Sequence, residues 1–412
     1  MIESGWRVSL HAFSHPKCSL LPPPTKCKYL HHISTAAAAS SSKTNAASQT
    51  VDDDDDDDND CVQQQKQQEQ GLRCERDVRF AVGNAFYRSE SSLGRDLGVL
   101  AAAAHKLEKG SLRVLDAMCG CGVRAMRYIM HSGADFVLAN DACKQFMLQN
   151  LERCSVIGST SILTQSHCLT DHILTAESSN WKVTHVDANR LLSSRYLAND
   201  YFDLIDVDSF GSSSVCLRSA LAAVRHGGLL YVTSTDGVSS GGRRPYNALA
   251  AYGAFVRQMP YCNEIGLRML IGGVIRDAAM RNLNVSPFFS YYSYHGTVFR
   301  VMLRVRQGKL IKNMHYGFIA YCRSCGSSQT VQWEDLGNVN CTCSQVKAPS
   351  LIISGPLWTG PLHSVDELQM MWNLAREWGW IGNVPVGTGG QLMVSESEKP
   401  QMQRLWTSCW KL

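Results

Sequence analysis

The chain has 412 residues, 44% of them hydrophobic, with 40 Lys/Arg against 36 Asp/Glu and 16 cysteines. That length holds two domains with full cores, and no apolar run nears the ~20 residues that span a bilayer, so an integral helical membrane protein is excluded. Cysteines scattered through so long a chain argue against a small disulfide scaffold and for free thiols in a reducing compartment. The net charge of +4 is uneven, because residues 1–70 hold six basic and ten acidic side chains. The remainder is therefore a basic body, which suits a polyanionic partner or an ordinary basic surface.

In chain order, residues 1–48 contain Arg7, Lys17, Lys26, Lys28 and Lys43 but one acid, Glu3, and are dense in Ser, Thr and Ala. This composition predicts an organellar transit segment, chloroplast before mitochondrion or nucleus. Residues 49–73 follow, with seven adjacent carboxylates from Asp52 to Asp58 and a Gln-rich run. Mutual repulsion keeps such a stretch solvated, so it is predicted to be a linker. From residue 74 to 306, β-branched runs alternate with helical ones: RVLDAMC, VRAMRYIMHSG, DFVLANDA, FMLQNLERC, KVTHVDA, YFDLIDVD, VCLRSALAAVRHGG and LLYVTST. The predicted fold is α/β, a Rossmann-like parallel sheet wound with helices. Residues 307–412, richer in Cys, Trp and Gly, are predicted to form a smaller α+β domain.

The first strand ends in Asp116 and runs into Gly120-Cys121-Gly122 before a helix. A strand-end acid, a Gly-x-Gly turn and a helix N-terminus make the entry of a nucleotide-cofactor site. Asp141 ends the next strand, where an acid holds ribose hydroxyls. Asp187-Ala188 ends the third, where an acid receives an adenine amine. Ala125 stands where the full G-x-G-x-x-G fingerprint of a dinucleotide site needs glycine, so the pattern points to S-adenosylmethionine. Cys119 and Cys121 read as small packing residues.

The fourth strand ends in Asp208-Ser209-Phe210-Gly211. Ligands of open α/β sheets lie beyond the carboxyl ends of the strands. Asp208 there suits hydrogen bonding to, and deprotonation of, an exocyclic amine, whose lone pair is delocalised into its ring. The Ser209 carbonyl is a second acceptor, and Phe210 offers a stacking face for an extruded base. Asp206 points to the same side and is a weaker candidate. Arg243-Arg244, Tyr246 and Tyr291-Tyr292 suit either RNA contact or local packing. Farther on, Cys322-x-x-Cys325 and Cys341-x-Cys343 have the pairing of a tetrahedral zinc site, a possible ribbon.

These segments resemble the tRNA guanine-N2-dimethyltransferases. DVDSFG resembles the family's DLDPYG or DPFG, AFYRSESSLGRDLGVL its FYNP…NRDLS element, CGVRAMRYI its SGIRALRYA and GPLWTGPLH its GPIWSGPLH. The resemblance implies a methyltransferase acting on a guanine of tRNA, at position 26, with S-adenosylmethionine as methyl donor. It also implies cofactor roles for Arg95 and Arg124, and it implies neither a membrane nor a protein partner. Two departures stand out. Ser209 replaces the family's proline, which returns an N–H and loosens the turn, and GGRRPYNALAAYGAF replaces a YGG-type segment. A tRNA-binding protein with weakened catalysis, or a methyltransferase for another nucleic-acid amino group, are the alternative readings.

Overall fold

The computed structural model describes residues 72–142, 147–152, 162–168, 171–177, 179–293, 296–308, 315–341, 343 and 350–381. The expected transit segment and nearly all of the expected linker lie outside them. The first strand begins at Leu72, inside the span expected as linker, because LRCE pairs with VRFA across a turn at Arg76-Asp77.

The elements run β1 (Leu72–Glu75), β2 (Val78–Ala81), α1 (Ser92–Lys109), β3 (Arg113–Asp116), α2 (Val123–Met130), β4 (Phe136–Asn140), α3 (Met147–Glu152), β5 (Ile162–Cys168), β6 (Asp171–Glu177), β7 (Trp181–Thr184), α4 (Ala188–Leu197), β8 (Phe202–Asp208), α5 (Ser214–Ala223) and β9 (Val224–Ser234). After them come α6 (Gly237–Ser240), α7 (Pro245–Tyr252), α8 (Cys262–Ala279), β10 (Leu283–Ser293), β11 (Val298–Gln307), β12 (Tyr316–Cys322), β13 (Ser328–Val331), β14 (Leu351–Trp358) and α9 (Val365–Glu377).

The predicted parallel sheet is present. Nine strands lie in the order β10-β11-β9-β8-β3-β4-β7-β6-β5. β3, β4, β7, β8 and β9 are mutually parallel, and β11 runs against β9. Val114, Leu115, Leu204, Ile205 and Val207 are buried in the centre of the sheet, as expected of strands covered on both faces by helices. From β3 the chain leads to β4 on one side and later to β8 on the other. Such a reversal of strand order opens a crevice at the carboxyl edge.

Two elements differ from expectation. VCLRSALAAVRHGG reads as one helix, but the helix stops at Ala223 and β9 starts at Val224, pairing with Phe202. The β5–β6 hairpin extends the far edge of the sheet, and no sequence motif announced it.

The C-terminal strands form a separate sheet, β13-β12-β14. Its inner side chains Ile319, Ile352, Leu357 and Trp358 join Leu270, Ile271 and Val274 of α8 in one core, so this part is fused to the methyltransferase-like body. α9 packs back against α1. Among the described residues no helix is long and apolar enough to cross a membrane.

Candidate active site

The carboxyl ends of β3, β4, β7 and β8 open on a cavity of about 940 Å³, a size that holds a nucleoside-sized ligand. Asp116, Gly120, Asp141, Asp187, Ala188, Asp208, Ser209 and Phe210 all line it, as do Arg95 and Arg124. The structure thus brings together all the residues expected at the cofactor and the target base except Gly122, which lies behind the lining as the cap of the following helix.

The loop after β3 has the backbone that its glycines allow. Gly120 and Gly122 sit at φ +58° and +83°, and Gly122 caps α2. Asp141 accepts a bond from the Gly120 N–H at 2.8 Å, so the second strand-end acid braces the loop. Asp187 caps α4, accepting from the Arg190 N–H at 3.0 Å, while Ala188 is the first, buried residue of that helix. Cys119 and Cys121 are buried packing residues whose thiols burial pushes up.

Asp116 and Asp206 are register partners on neighbouring strands, and both are fully buried. Arg124, the second residue of α2, donates to Asp206 at 2.5 Å and also to Asp208. The Tyr128 hydroxyl adds a 2.8 Å bond to Asp206. Asp206 is therefore committed beneath the site, and its wall position is taken by Asp208. Among the described residues, neither oxygen of Asp116 has a hydrogen-bond partner. Burial, with Asp206 beside it, pushes the Asp116 carboxyl well above the usual range. A cation entering the cavity would offset that penalty.

Asp208 behaves in the opposite way. Burial opposes its ionisation, but the Arg124 and Arg300 guanidiniums outweigh burial and hold the carboxyl well below the ordinary range. Arg300, on β11, donates to Thr233 Oγ1 at 2.8 Å and lies 3.4 Å from Asp208. It reaches there because position 94 lacks a side chain: a Cβ on Gly94 would lie 2.7 Å from the Arg300 Nε. The cofactor role implied for Arg124 is thus joined by a visible one, pairing two carboxylates of β8.

Arg95 lines the cavity but spends its guanidinium on Glu75, at 2.9 Å through Nε, and on the Arg88 carbonyl at 2.8 Å. Arg127 joins the same buried network through Glu75 at 3.2 Å and Asp96.

Ser209 is expected to loosen the turn, yet the turn is tied. Its hydroxyl donates to the Thr233 carbonyl at 3.3 Å, and the Gly211 N–H donates to Thr235 Oγ1 at 2.6 Å. Phe210 stands 72% exposed at the cavity mouth and meets Phe86, 62% exposed, edge-on at 4.7 Å. Large aromatic rings left in solvent at a cavity mouth suit a planar ligand. Tyr291 packs against the core, whereas Tyr292 is partly exposed.

Sequence reasoning missed Arg300, Thr233, Phe86 and Glu75. Arg300 had a signal: with Arg304 it interrupts the otherwise apolar VFRVMLRV, and a charge inside a buried strand requires a partner. Phe86 had one too, as the Phe of the FYR that resembles the family's FYNP, although its irregular loop gave no clue to its place at the cavity mouth.

The four cysteines converge beside β12. Cys322 and Cys343 Sγ atoms are 3.8 Å apart, Cys325 and Cys341 3.4 Å, and Cys341 and Cys343 3.5 Å. All four sulfurs lie within 4.8 Å of one another. A tetrahedron with metal–sulfur bonds of about 2.3 Å has edges of about 3.8 Å, so the set matches a four-thiolate ion site.

The depressed Asp208 carboxyl sets a pH dependence. Its ionised form stabilises the fold above the unfolded value near pH 4, and this contribution fades as pH falls toward the lower folded value. The stability gap between wild type and Asp208→Asn in urea titrations is expected to narrow from pH 7 to below about pH 4. A gap that stays constant over that range would contradict the assignment.

The family model for N2,N2-dimethylguanosine tRNA methyltransferase (TRM) matches residues 67–379. The tRNA (guanine(26)-N(2))-dimethyltransferase of Thermococcus kodakarensis is 33% identical over 71% of this chain and 72% of its own length. That of Pyrococcus abyssi is 28% identical over 71% of each. The solved complex of Trm1 from Pyrococcus horikoshii with S-adenosyl-L-methionine superposes with a TM-score of 0.61 at 26% identity, covering 74% of this chain and 77% of that one. A match across three quarters of the chain, over the cavity and its walls, places it: the chain belongs to the N2,N2-dimethylguanosine tRNA methyltransferase family.

Proposed function

We propose that the chain transfers methyl groups from S-adenosylmethionine to the exocyclic N2 of guanine in tRNA, at position 26, giving N2-methyl- or N2,N2-dimethylguanosine. The observation that carries this reading is an ionised, partly exposed Asp208 in one cavity with two exposed aromatic rings and with the buried Asp116 carboxyl, which has no hydrogen-bond partner among the described residues. When bound, S-adenosylmethionine supplies an electrophilic methyl on a positively charged sulfur. Asp116 answers that positive charge, and Asp141 and Asp187 stand where hydroxyls and an adenine amine are received. Phe210, with Phe86 across the mouth, holds the extruded guanine.

Asp208 accepts a hydrogen bond from the N2 amine and turns its lone pair toward the methyl, and the Ser209 carbonyl is the second acceptor. Once nitrogen carries the new methyl it becomes a strong acid, so even a carboxylate of low basicity takes its proton. The chief contribution of Asp208 is therefore orientation and charge. Asp208→Asn keeps the shape and removes the charge. It should lower kcat on tRNA by about 10²–10⁴-fold while S-adenosylmethionine still binds, measured by methyl transfer and calorimetry. Wild-type activity in this variant would refute the role.

The cysteine set is proposed to hold a structural zinc ion, supported by its near-tetrahedral sulfur spacing. Purified protein should contain about one zinc per chain by elemental analysis, and Cys341→Ser should lose it. Folded, metal-free wild type would refute the site.

The composition of residues 1–48 supports a chloroplast location, with mitochondrion and nucleus as the alternatives. In a line lacking the chain, N2-methylated guanosines should fall in plastid tRNA, read by nucleoside mass spectrometry of separated compartments. A loss confined to cytosolic tRNA would overturn that location.

A further inference from the structure

The GGRR segment that departs from the family pattern lies on the cavity side of the sheet. It follows β9, whose last residues lead to Thr235 on the cavity wall. Gly237, next in line, packs so closely on Thr297, another wall residue, that no Cβ fits between them. α6 and Gly241-Gly242 then carry the chain outward to Arg243-Arg244. Gly242, at φ +64°, presses on the backbone of Arg257-Gln258 with no room for a side chain. Three arginines from two segments, Arg243, Arg244 and Arg257, are thereby gathered around one glycine.

All three are exposed, and none forms an ion pair among the described residues. No Asp or Glu occurs from Gly237 to Asn263, so the stretch between Asp236 and Glu264 carries basic side chains only. Exposed arginines that form no ion pair among the described residues, on a segment that leaves the wall of a reaction cavity, are an electrostatic footprint for a polyanion. Beside them Tyr246 is 75% exposed. Its ring is held edge-on by Phe255 at 5.5 Å, and the Phe255 backbone is bonded in turn to Gly355 of β14. A ring braced at one edge keeps a face free for stacking.

We infer that Arg243, Arg244 and Arg257, with Tyr246, form a docking surface for the RNA phosphate backbone outside the target nucleotide. The inference rests on the reading of tRNA as substrate. Arginine forks engage phosphate oxygens and set the register of the RNA, while the cavity selects the base. The surface supplies binding and leaves the chemical step to Asp208.

The test is the triple variant R243A/R244A/R257A. Its KM for tRNA should rise about tenfold or more, with kcat at saturating tRNA and S-adenosylmethionine affinity near wild type. The dependence of log KM on log salt should become shallower by about 0.7–0.9 for each phosphate that the variant no longer neutralises. The triple lysine variant, which keeps the charges, should recover most of that slope. Unchanged KM and salt slope in the alanine variant would overturn the inference and leave the patch to some other anion. Direct tRNA binding by fluorescence anisotropy reads the surface even if the wild type transfers no methyl, an outcome that would sink the functional reading separately. If the triple variant fails to bind S-adenosylmethionine, the single variants R243A and R257A carry the same comparison.

Discussion

Three carboxylates meet at the ends of two neighbouring strands, and the site depends on how their charge is answered. Asp116 and Asp206 face each other across β3 and β8, and Asp208 follows two residues later on the same side. Like charges buried together are strongly unfavourable unless paired. Arg124 meets Asp206 and Asp208, and Tyr128 bonds to the deeper of the two, Asp206. Arg300 then arrives from the antiparallel β11 through the notch at Gly94. The outcome is asymmetric. Asp208 is held ionised at the cavity, whereas burial pushes the Asp116 carboxyl well above the usual range and no hydrogen-bond partner among the described residues answers it.

A second network builds the opposite wall. Glu75 on the first strand, Arg95 and Asp96 on α1 and Arg127 on α2 form a buried set of alternating charges. Burial would raise the Glu75 carboxyl, but the arginines reverse that and keep it ionised. This set fastens the N-terminal hairpin to the body, which positions the loop carrying Phe86. Trp380 lies over both Arg76 and Arg127, so the last described residues cover the same network.

Much of the site was readable in the amino-acid order alone. The strand-end acids were legible because parallel strands deliver their carboxyl termini to one edge, and each acid follows an apolar run. Phe210 and Gly211 were legible because they follow such an acid directly. Arg300 was half legible as a charge inside an apolar strand, though its target was not. Glu75 was not legible and Phe86 only as part of the FYR match, since a short hairpin and an irregular loop carry no periodicity that locates them against residues far along the chain. The tie that Ser209 makes was not legible, because the Thr233 carbonyl that receives its hydroxyl belongs to another strand.

By itself, the sequence determined the alternating α/β pattern, the acids at the strand ends, the aromatic beside the fourth acid and the paired cysteines. Each is set by local spacing, and spacing is inherited by any fold that keeps the strands parallel. The tertiary structure alone decided which acid is ionised at the cavity, which is buried beneath it and which is left without a partner. Those states follow from the distances to Arg124 and Arg300, and those distances exist only once helix α2 and strand β11 have packed against β8. The gathering of Arg257 with Arg243 and Arg244 has the same origin, a close backbone approach between segments that are separate in the chain.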